Sequence, residues 1–148
     1  MKYLLVLLTF CSISCFGQGD EAGVKSTINL FFEGMRKADS SVIKATLAPA
    51  AILQTIVHKK EDSTAVETEE IQKFIAAVTK PHPEVYDERI TFDVIKIDAE
   101  LAMAWTPYKF YVGSTFSHCG VDCFQLVKLQ GAWKIQYIID TRRKEGCK

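Results

Sequence analysis

Residues 101–143 read LAMAWTPYKFYVGSTFSHCGVDCFQLVKLQGAWKIQYIIDTRR. Three long runs, 101–112, 115–129 and 132–143, are separated by Gly113-Ser114 and Gln130-Gly131, which have the form of two-residue hairpin turns. The segment is therefore expected to be an antiparallel meander. With Val112 set against Thr115, Trp105 faces Asp122 and Lys109 faces His118. With Leu129 set against Ala132, Phe124 faces Tyr137 and Gly120 faces Thr141. One face then collects Leu101, Met103, Trp105, His118, Asp122, Phe124, Leu126, Trp133, Ile135, Tyr137 and Ile139. It is bulkier than the other, which carries Ala102, Ala104, Tyr108, Phe110, Cys119, Val121 and Cys123, so it is expected to face the core. A single β-bulge would reverse the faces beyond it.

Upstream the period changes from two to that of a helix. Val24, Ile28, Phe31, Phe32 and Met35 form one apolar stripe and predict a helix over 21–38. Asp39 or Ser40 caps a short second helix carrying Val42, Ile43 and Leu47, which Pro49 ends. Residues 51–57 read as a strand and 58–66 as a charged loop. Thr68 caps a third helix with Ile71, Phe74, Ile75 and Val78 on one side, stopped by Pro81 and Pro83. From Glu88 onward Ile90, Phe92 and Val94 alternate with Thr91 and Asp93 as a further strand. Helices first and a meander last make an α+β domain.

The N-terminus, MKYLLVLLTFCSISCFGQ, places Lys2 before a short apolar run and small residues, the layout of a secretory signal peptide. Its apolar run falls well short of the roughly 20 residues a membrane span needs. Cleavage after Gly17 makes 1–17 the signal and leaves one domain of 131 residues, 18–148. The alternative is a lipoprotein attached to the membrane through Cys15. The destination is periplasmic or secreted. The mature chain keeps 17 basic and 18 acidic residues, without the basic excess of a nucleic-acid binder.

Three cysteines remain after cleavage. Cys119 and Cys123 lie on one side of one strand, about 13 Å apart at roughly 3.3 Å per residue, too far to bridge. The chain end can fold back toward Cys119, so a Cys119–Cys147 disulfide is expected, with Cys123 a free, packed thiol.

The order of these elements resembles the nuclear transport factor 2-like superfamily, in particular its SnoaL-like and lumazine-binding groups. The resemblance rests on Thr106-Pro107-Tyr108, His118-Cys119-Gly120-Val121-Asp122, Trp133-Lys134-Ile135 and Asp140-Thr141-Arg142-Arg143. It implies a cone-shaped, strongly curved antiparallel sheet closed by three helices around a deep pocket. It implies no single activity, since relatives of that shape include isomerases, dehydratases, cyclases and proteins that only bind. The isomerase set of a carboxylate base with a tyrosine and an acid finds no matching positions, so no catalytic residue is carried over.

Within that frame Phe31, Phe74, Phe92, Trp105, Phe124 and Tyr137, with His118 and Asp122, are the expected ligand-contacting set. Aromatics around a concave space describe a pocket for a small, flat or apolar molecule; they equally describe an ordinary core. His118 and Asp122 are the candidate acid–base pair of an alternative isomerase, dehydratase or cyclase reading, although an ideal strand separates them by about 13 Å. Their structural alternative is a bond from His118 to a backbone carbonyl and from Asp122 to Trp105 or an arginine. Asp140 is expected to pair with Arg142 or Arg143, and Tyr108 and Tyr111 to form a rim. His58 and His82 lie in loops, and no ligand spacing suits zinc; neither metal nor cofactor is expected. The partly apolar outer sheet face suits a homodimer.

Overall fold

The computed structural model describes residues 16–59, 63–81 and 83–147. The expected signal segment, with Cys11 and Cys15, falls outside them except for the backbone of Phe16 and Gly17, as does His82. Among the described residues no helix is long and apolar enough to cross a membrane.

The first helix, α1, is Phe16–Arg36, and Val24, Ile28, Phe31, Phe32 and Met35 are all buried along its one apolar side. The carboxylate of Asp39 accepts from the backbone N–H groups of Ser41 and Val42 at 2.9 and 3.2 Å and caps α2, Ser40–Thr46. The two helices meet closely at Gly34, where a Cβ would stand 2.8 Å from Ile43 Cγ1.

Strand β1, Leu47–His58, begins four residues before the expected start. Pro49 lies within it, in the stretch between Leu47 and Ile52 where pairing to the last strand is interrupted and a missing N–H breaks no ladder bond. The expected charged loop gives way to a second strand, β2 (Thr64–Glu69), pairing antiparallel with β1. An exposed edge strand buries no alternating apolar face, so TAVETE carried no strand signal. Thr68 consequently belongs to the strand, where its hydroxyl accepts from Gln54, and does not cap α3, Ile71–Thr79.

The run expected to form one strand after Glu88 divides into β3, Tyr86–Ile90, and β4, Val94–Asp98, both antiparallel to β5, Leu101–Val112. The register slips by one residue between them, so Ile95 and Ile97 join the core and Val94 is exposed. Strands β6, Thr115–Leu129, and β7, Ala132–Arg143, have the expected bounds. Gly113 has φ +60° at one turn, and Gln130 and Gly131 have φ +50° and +81° at the other, the left-handed values that tight hairpins require.

The sheet order is β2-β1-β7-β6-β5-β3, with β4 also on β5. It is a large curved, unclosed mixed sheet rather than a wholly antiparallel one, because the chain returns from β6 to lay β7 parallel to β1. The helices cover its concave side, where Phe32, Phe124, Leu126 and Ile135 form the centre of the core.

Two bulges correct the expected register. Tyr111 faces Phe116 but Phe110 faces His118, leaving Ser117 as an extra residue in β6. Leu126 faces Ile135 but Gln125 faces Tyr137, leaving Gln136 extra in β7. Beyond these points Trp105 faces Cys123, Lys109 faces Cys119, Phe124 faces Ile138 and Gly120 faces Arg142. On β5 the inward residues are thus Ala102, Ala104, Thr106 and Tyr108, while Leu101 and Trp105 are exposed. On β7 they are Trp133 and Ile135 before the bulge, then Ile138 and Asp140 after it.

Cys119 and Cys147 form the expected disulfide with Cα atoms 5.8 Å apart, and Cys123 is the free thiol among the described cysteines. By tying the chain end to β6, the bond restricts the unfolded ensemble. Cys147→Ser is expected to lower the unfolding free energy in urea melts by about 3 kcal/mol. An unchanged midpoint, or Cys147 alkylatable in non-reducing peptide mapping, would contradict this.

Candidate functional site

The bulge at Ser117 brings Tyr108 onto the concave face, where His118 already stands, and the bulge at Gln136 brings Asp140 there. Between this face and helices α1 and α3 lies a cavity of ≈ 70 Å³. Phe31, Phe32, Phe74 and Phe124 wall its apolar side; Glu88, Tyr108, His118, Asp122, Asp140 and Arg142 line its polar side. Phe31 and Phe74 stack with ring centres 5.8 Å apart, and Phe32 meets Phe124 edge to face at 6.0 Å. Thr55, Glu69 and Arg142 line both the cavity and an adjoining surface groove of ≈ 400 Å³.

Gly120 gives the polar side its shape. A Cβ there would stand 1.7 Å from the Thr141 carbonyl oxygen and 2.7 Å from Tyr108 Cε1. Its absence lets the Tyr108 ring cross β6 and donate its hydroxyl hydrogen bond to the Thr141 carbonyl at 2.9 Å, with Asp140 Oδ2 at 3.4 Å. Burial, and then the negative charge of Asp140, Glu88 and Asp122, pushes the Tyr108 phenol above its usual range, so it remains a donor. Asp140 is buried, and Arg142 Nε donates to its Oδ2 at 2.8 Å.

Asp122 is 5 % exposed and accepts from the fully buried Thr106 hydroxyl at 3.3 Å. Its other partner is Glu88, on the outer strand β3 but with its carboxyl turned inward to meet that of Asp122. Two carboxyl groups in contact repel each other's negative charge, which favours keeping a proton at the pair. Burial, followed by the charges of Glu88 and Asp140, raises Asp122 well above the usual carboxylate range. Burial likewise pushes Glu88 up to about 8, against the lowering effect of its hydrogen bond to Asp122. His118 is shifted down, first by burial and then by the Arg142 charge, which leaves it neutral at pH 7. Its Nδ1 lies 3.0 Å from Ser117 Oγ, and its ring packs on Phe110 with centres 5.0 Å apart.

A family model described as "Putative lumazine-binding" matches residues 19–137. The chain belongs to that family. Solved structures of the nuclear transport factor 2-like or cystatin-like fold share its architecture. A protein of unknown function from Shewanella baltica has a TM-score of 0.66 at 16% identity, covering 87% of this chain and 98% of its own. One from Methylobacillus flagellatus has a TM-score of 0.62 at 19% identity, covering 89% and 96%. A cystatin-like protein from Nostoc punctiforme has a TM-score of 0.64 at 15% identity, covering 85% and 92%. At these identities the likeness is one of fold. No curated protein matches the chain.

In this lumazine-binding-family chain, five of the residues singled out from the sequence line the cavity together: Phe31, Phe74, His118, Asp122 and Phe124. The other three lie elsewhere. Trp105 stands on the outer sheet face, 43 % exposed, displaced by the bulge at Ser117. Tyr137, displaced by the bulge at Gln136, donates its hydroxyl hydrogen bond to Gln54 Oε1 at 2.5 Å. Phe92 lies half-buried at the β3–β4 slip, with Lys25 Nζ 5.7 Å from its ring centre. Asp122 is partnered by Thr106 and Glu88, not by Trp105, an arginine or His118. Sequence reasoning missed Glu88, Thr106 and Arg142 as lining or supporting residues and placed Tyr108 on a rim. The Asp140–Arg142 pair was legible as an ion pair, but its place in the cavity was not. A single acid at a strand start, as at Glu88, carries no signal of its own.

The raised Glu88 carboxyl gives stability a pH signature. Between its ordinary value of 4.5 and about 8 the folded protein holds a proton that the unfolded chain lacks, so this contribution is present at low pH and lost as pH rises. The neutral His118 contributes with opposite sign around its ordinary value of 6.5, since there the unfolded chain binds the proton. Comparison with Glu88→Gln isolates the first effect. The variant's stability relative to wild type is expected to climb from pH 5 to 8 by up to about 1.4 kcal/mol per pH unit. Parallel wild-type and variant curves in urea melts would show that Glu88 takes up no proton on folding.

Proposed function

We propose that this chain is an exported protein that binds a small, flat or apolar molecule in its cone. What carries the reading is one feature: an aromatic-walled cavity ending in a tight group of hydrogen-bonding side chains and opening to a groove. Specific small-molecule sites combine an apolar wall with a few converging polar groups in this way. The cavity is about half the 150 Å³ that encloses a benzene molecule. It therefore takes the polar end of a ligand, while the rest lies toward Thr55, Glu69 and the groove. Export is supported by the layout of residues 1–17 and by a disulfide suited to an oxidising compartment. Lipidation at Cys15 is the alternative end of the same route. The outer sheet face, with Leu101 and Trp105 exposed, suits a homodimer.

A second reading, acid–base catalysis of the isomerase, dehydratase or cyclase type, is favoured by the protonated Glu88–Asp122 contact beside a neutral His118. Carboxyl and imidazole groups displaced from their usual protonation are the equipment of proton transfer. In it Asp122 and Glu88 exchange the proton and His118 positions or relays it.

Native mass spectrometry of protein exported by its own host tests the main reading. The expected species is a 131-residue chain carrying a bound small molecule. A full-length mass excludes cleavage. An empty cone, together with no stabilising compound in a broad thermal-shift screen, excludes the ligand. A ligand released chemically changed by wild type and unchanged by Asp122→Asn selects the catalytic reading. Light scattering is expected to give a dimer that Trp105→Asp dissociates; a wild-type monomer at micromolar concentration removes the dimer.

A further inference from the structure

The lining of the cavity is strongly unbalanced in charge. Among the described residues it brings together the carboxyl groups of Glu69, Glu88, Asp122 and Asp140 against the guanidinium of Arg142 alone. One proton between Glu88 and Asp122 still leaves the site negative. Arg142 cannot correct this from within. Its Nε is committed to Asp140 at 2.8 Å, its Nη2 donates to Thr55 Oγ1 at 3.1 Å, and its side chain is half exposed at the mouth. On α1, Arg36 is engaged by Glu33, Asp87 and the Glu88 carbonyl oxygen. In the groove, Lys73 pairs with Glu70 at 2.9 Å. The other titratable groups of the lining are Tyr108, a donor to Thr141, and His118.

Three further observations bear on what enters. The cavity admits a head group a few heavy atoms across and no more. Its other wall is made of aromatic faces, which attract a cation through their π electrons. Asp122 and Glu88 come from strands on either side of β5, line the same cavity and have their carboxyl groups in contact, so they offer neighbouring acceptor oxygens to a forked donor. An anion would meet like charges at short range in a medium of low dielectric constant.

We infer that the ligand is an organic cation whose planar, amidinium-like head enters the cavity between the phenylalanine wall and the Glu88–Asp122 pair. The inference rests on the small-molecule reading and specifies its ligand class. On binding, the N–H groups of the head donate to the two carboxylates, and the proton held between them leaves to solvent. The charge of the head replaces that proton. The apolar body of the ligand extends past Thr55 and Glu69 into the groove. The raised value of Glu88 supplies the linkage: below about 8 binding must first displace the proton, and above it need not.

Benzamidine, benzamide and benzoate have nearly the same shape and carry positive, zero and negative charge, so they separate the classes. Titrations of wild-type protein followed by the His118 and Tyr108 ring resonances are expected to show benzamidine at least tenfold tighter than benzamide, with benzoate not bound. Benzamidine affinity should rise roughly tenfold per pH unit from pH 6 to about 8 and then level. Glu88→Gln should abolish that rise and weaken benzamidine at least tenfold at pH 8, a larger loss than for benzamide. Glu69→Gln, at an exposed rim position that cannot disturb the core, should weaken benzamidine about threefold. Benzamide or benzoate binding in the cavity as tightly as benzamidine would overturn the cation and leave the small-molecule reading standing. Benzamidine binding without pH dependence would overturn the displaced proton and with it this placement of the head. If none of the three moves the cavity resonances, the cation is likewise excluded, and the ligand screen alone decides whether the cone binds anything.

Discussion

Two extra residues, Ser117 in β6 and Gln136 in β7, govern which side chains this sheet turns inward. A strand alternates faces at every residue, so one unpaired position exchanges the faces of everything beyond it relative to its neighbour. The bulge at Ser117 turns Tyr108 and Thr106 into the concave side and puts Trp105 outside. That at Gln136 turns Ile138 and Asp140 inward and frees Tyr137 to bond Gln54. Without them Trp105, Tyr137 and Ile139 would stand on the concave face in place of Thr106, Tyr108, Ile138 and Asp140. With them its apolar half lies under the helices and its polar half lies together beyond Phe124.

That segregation has an electrostatic consequence. Buried carboxyl groups are tolerated when each has a partner or a proton, and the site uses both devices. Asp140 has Arg142; Asp122 has Thr106 and a proton in common with Glu88. The Tyr108 hydroxyl bonds the Thr141 carbonyl, an arrangement that Gly120 alone permits by leaving the space of a Cβ empty. The polar groups are mutually satisfied yet collectively negative, and displaced protonation of this kind is concentrated at functional sites. The same feature makes the protonation of the site sensitive to pH.

The rest of the molecule holds this cluster in place. The stripe of α1 packs Phe31 and Phe32 over Phe74 and Phe124, so the cavity wall and the hydrophobic core are one structure. The Cys119–Cys147 bond anchors the chain end beside the strand that carries His118 and Asp122. A ligand in the cone would therefore be read by groups on rigid strands rather than by loops.

Much of this was legible in the residues themselves. The stripe on α1, the Asp39 cap, the two hairpin turns and the bounds of β5, β6 and β7 depend on local periodicity and backbone preference, which a single stretch of chain expresses. So does the pairing of Cys119 with the chain end, since Cys119 and Cys123 cannot reach each other on one strand. Phe31, Phe74 and Phe124 declared themselves by their periods, and His118 and Asp122 by sharing a strand face in the one region where the expected parity held. Trp105, Tyr137, Glu88 and Tyr108 could not be placed in that way. Their positions depend on where β5, β6 and β7 slip past one another by a residue, and a slip is set by pairing and packing between distant segments. The meeting of Glu88 with Asp122 joins an outer strand to the middle of the sheet; only the curvature of the folded sheet brings those two carboxyl groups together.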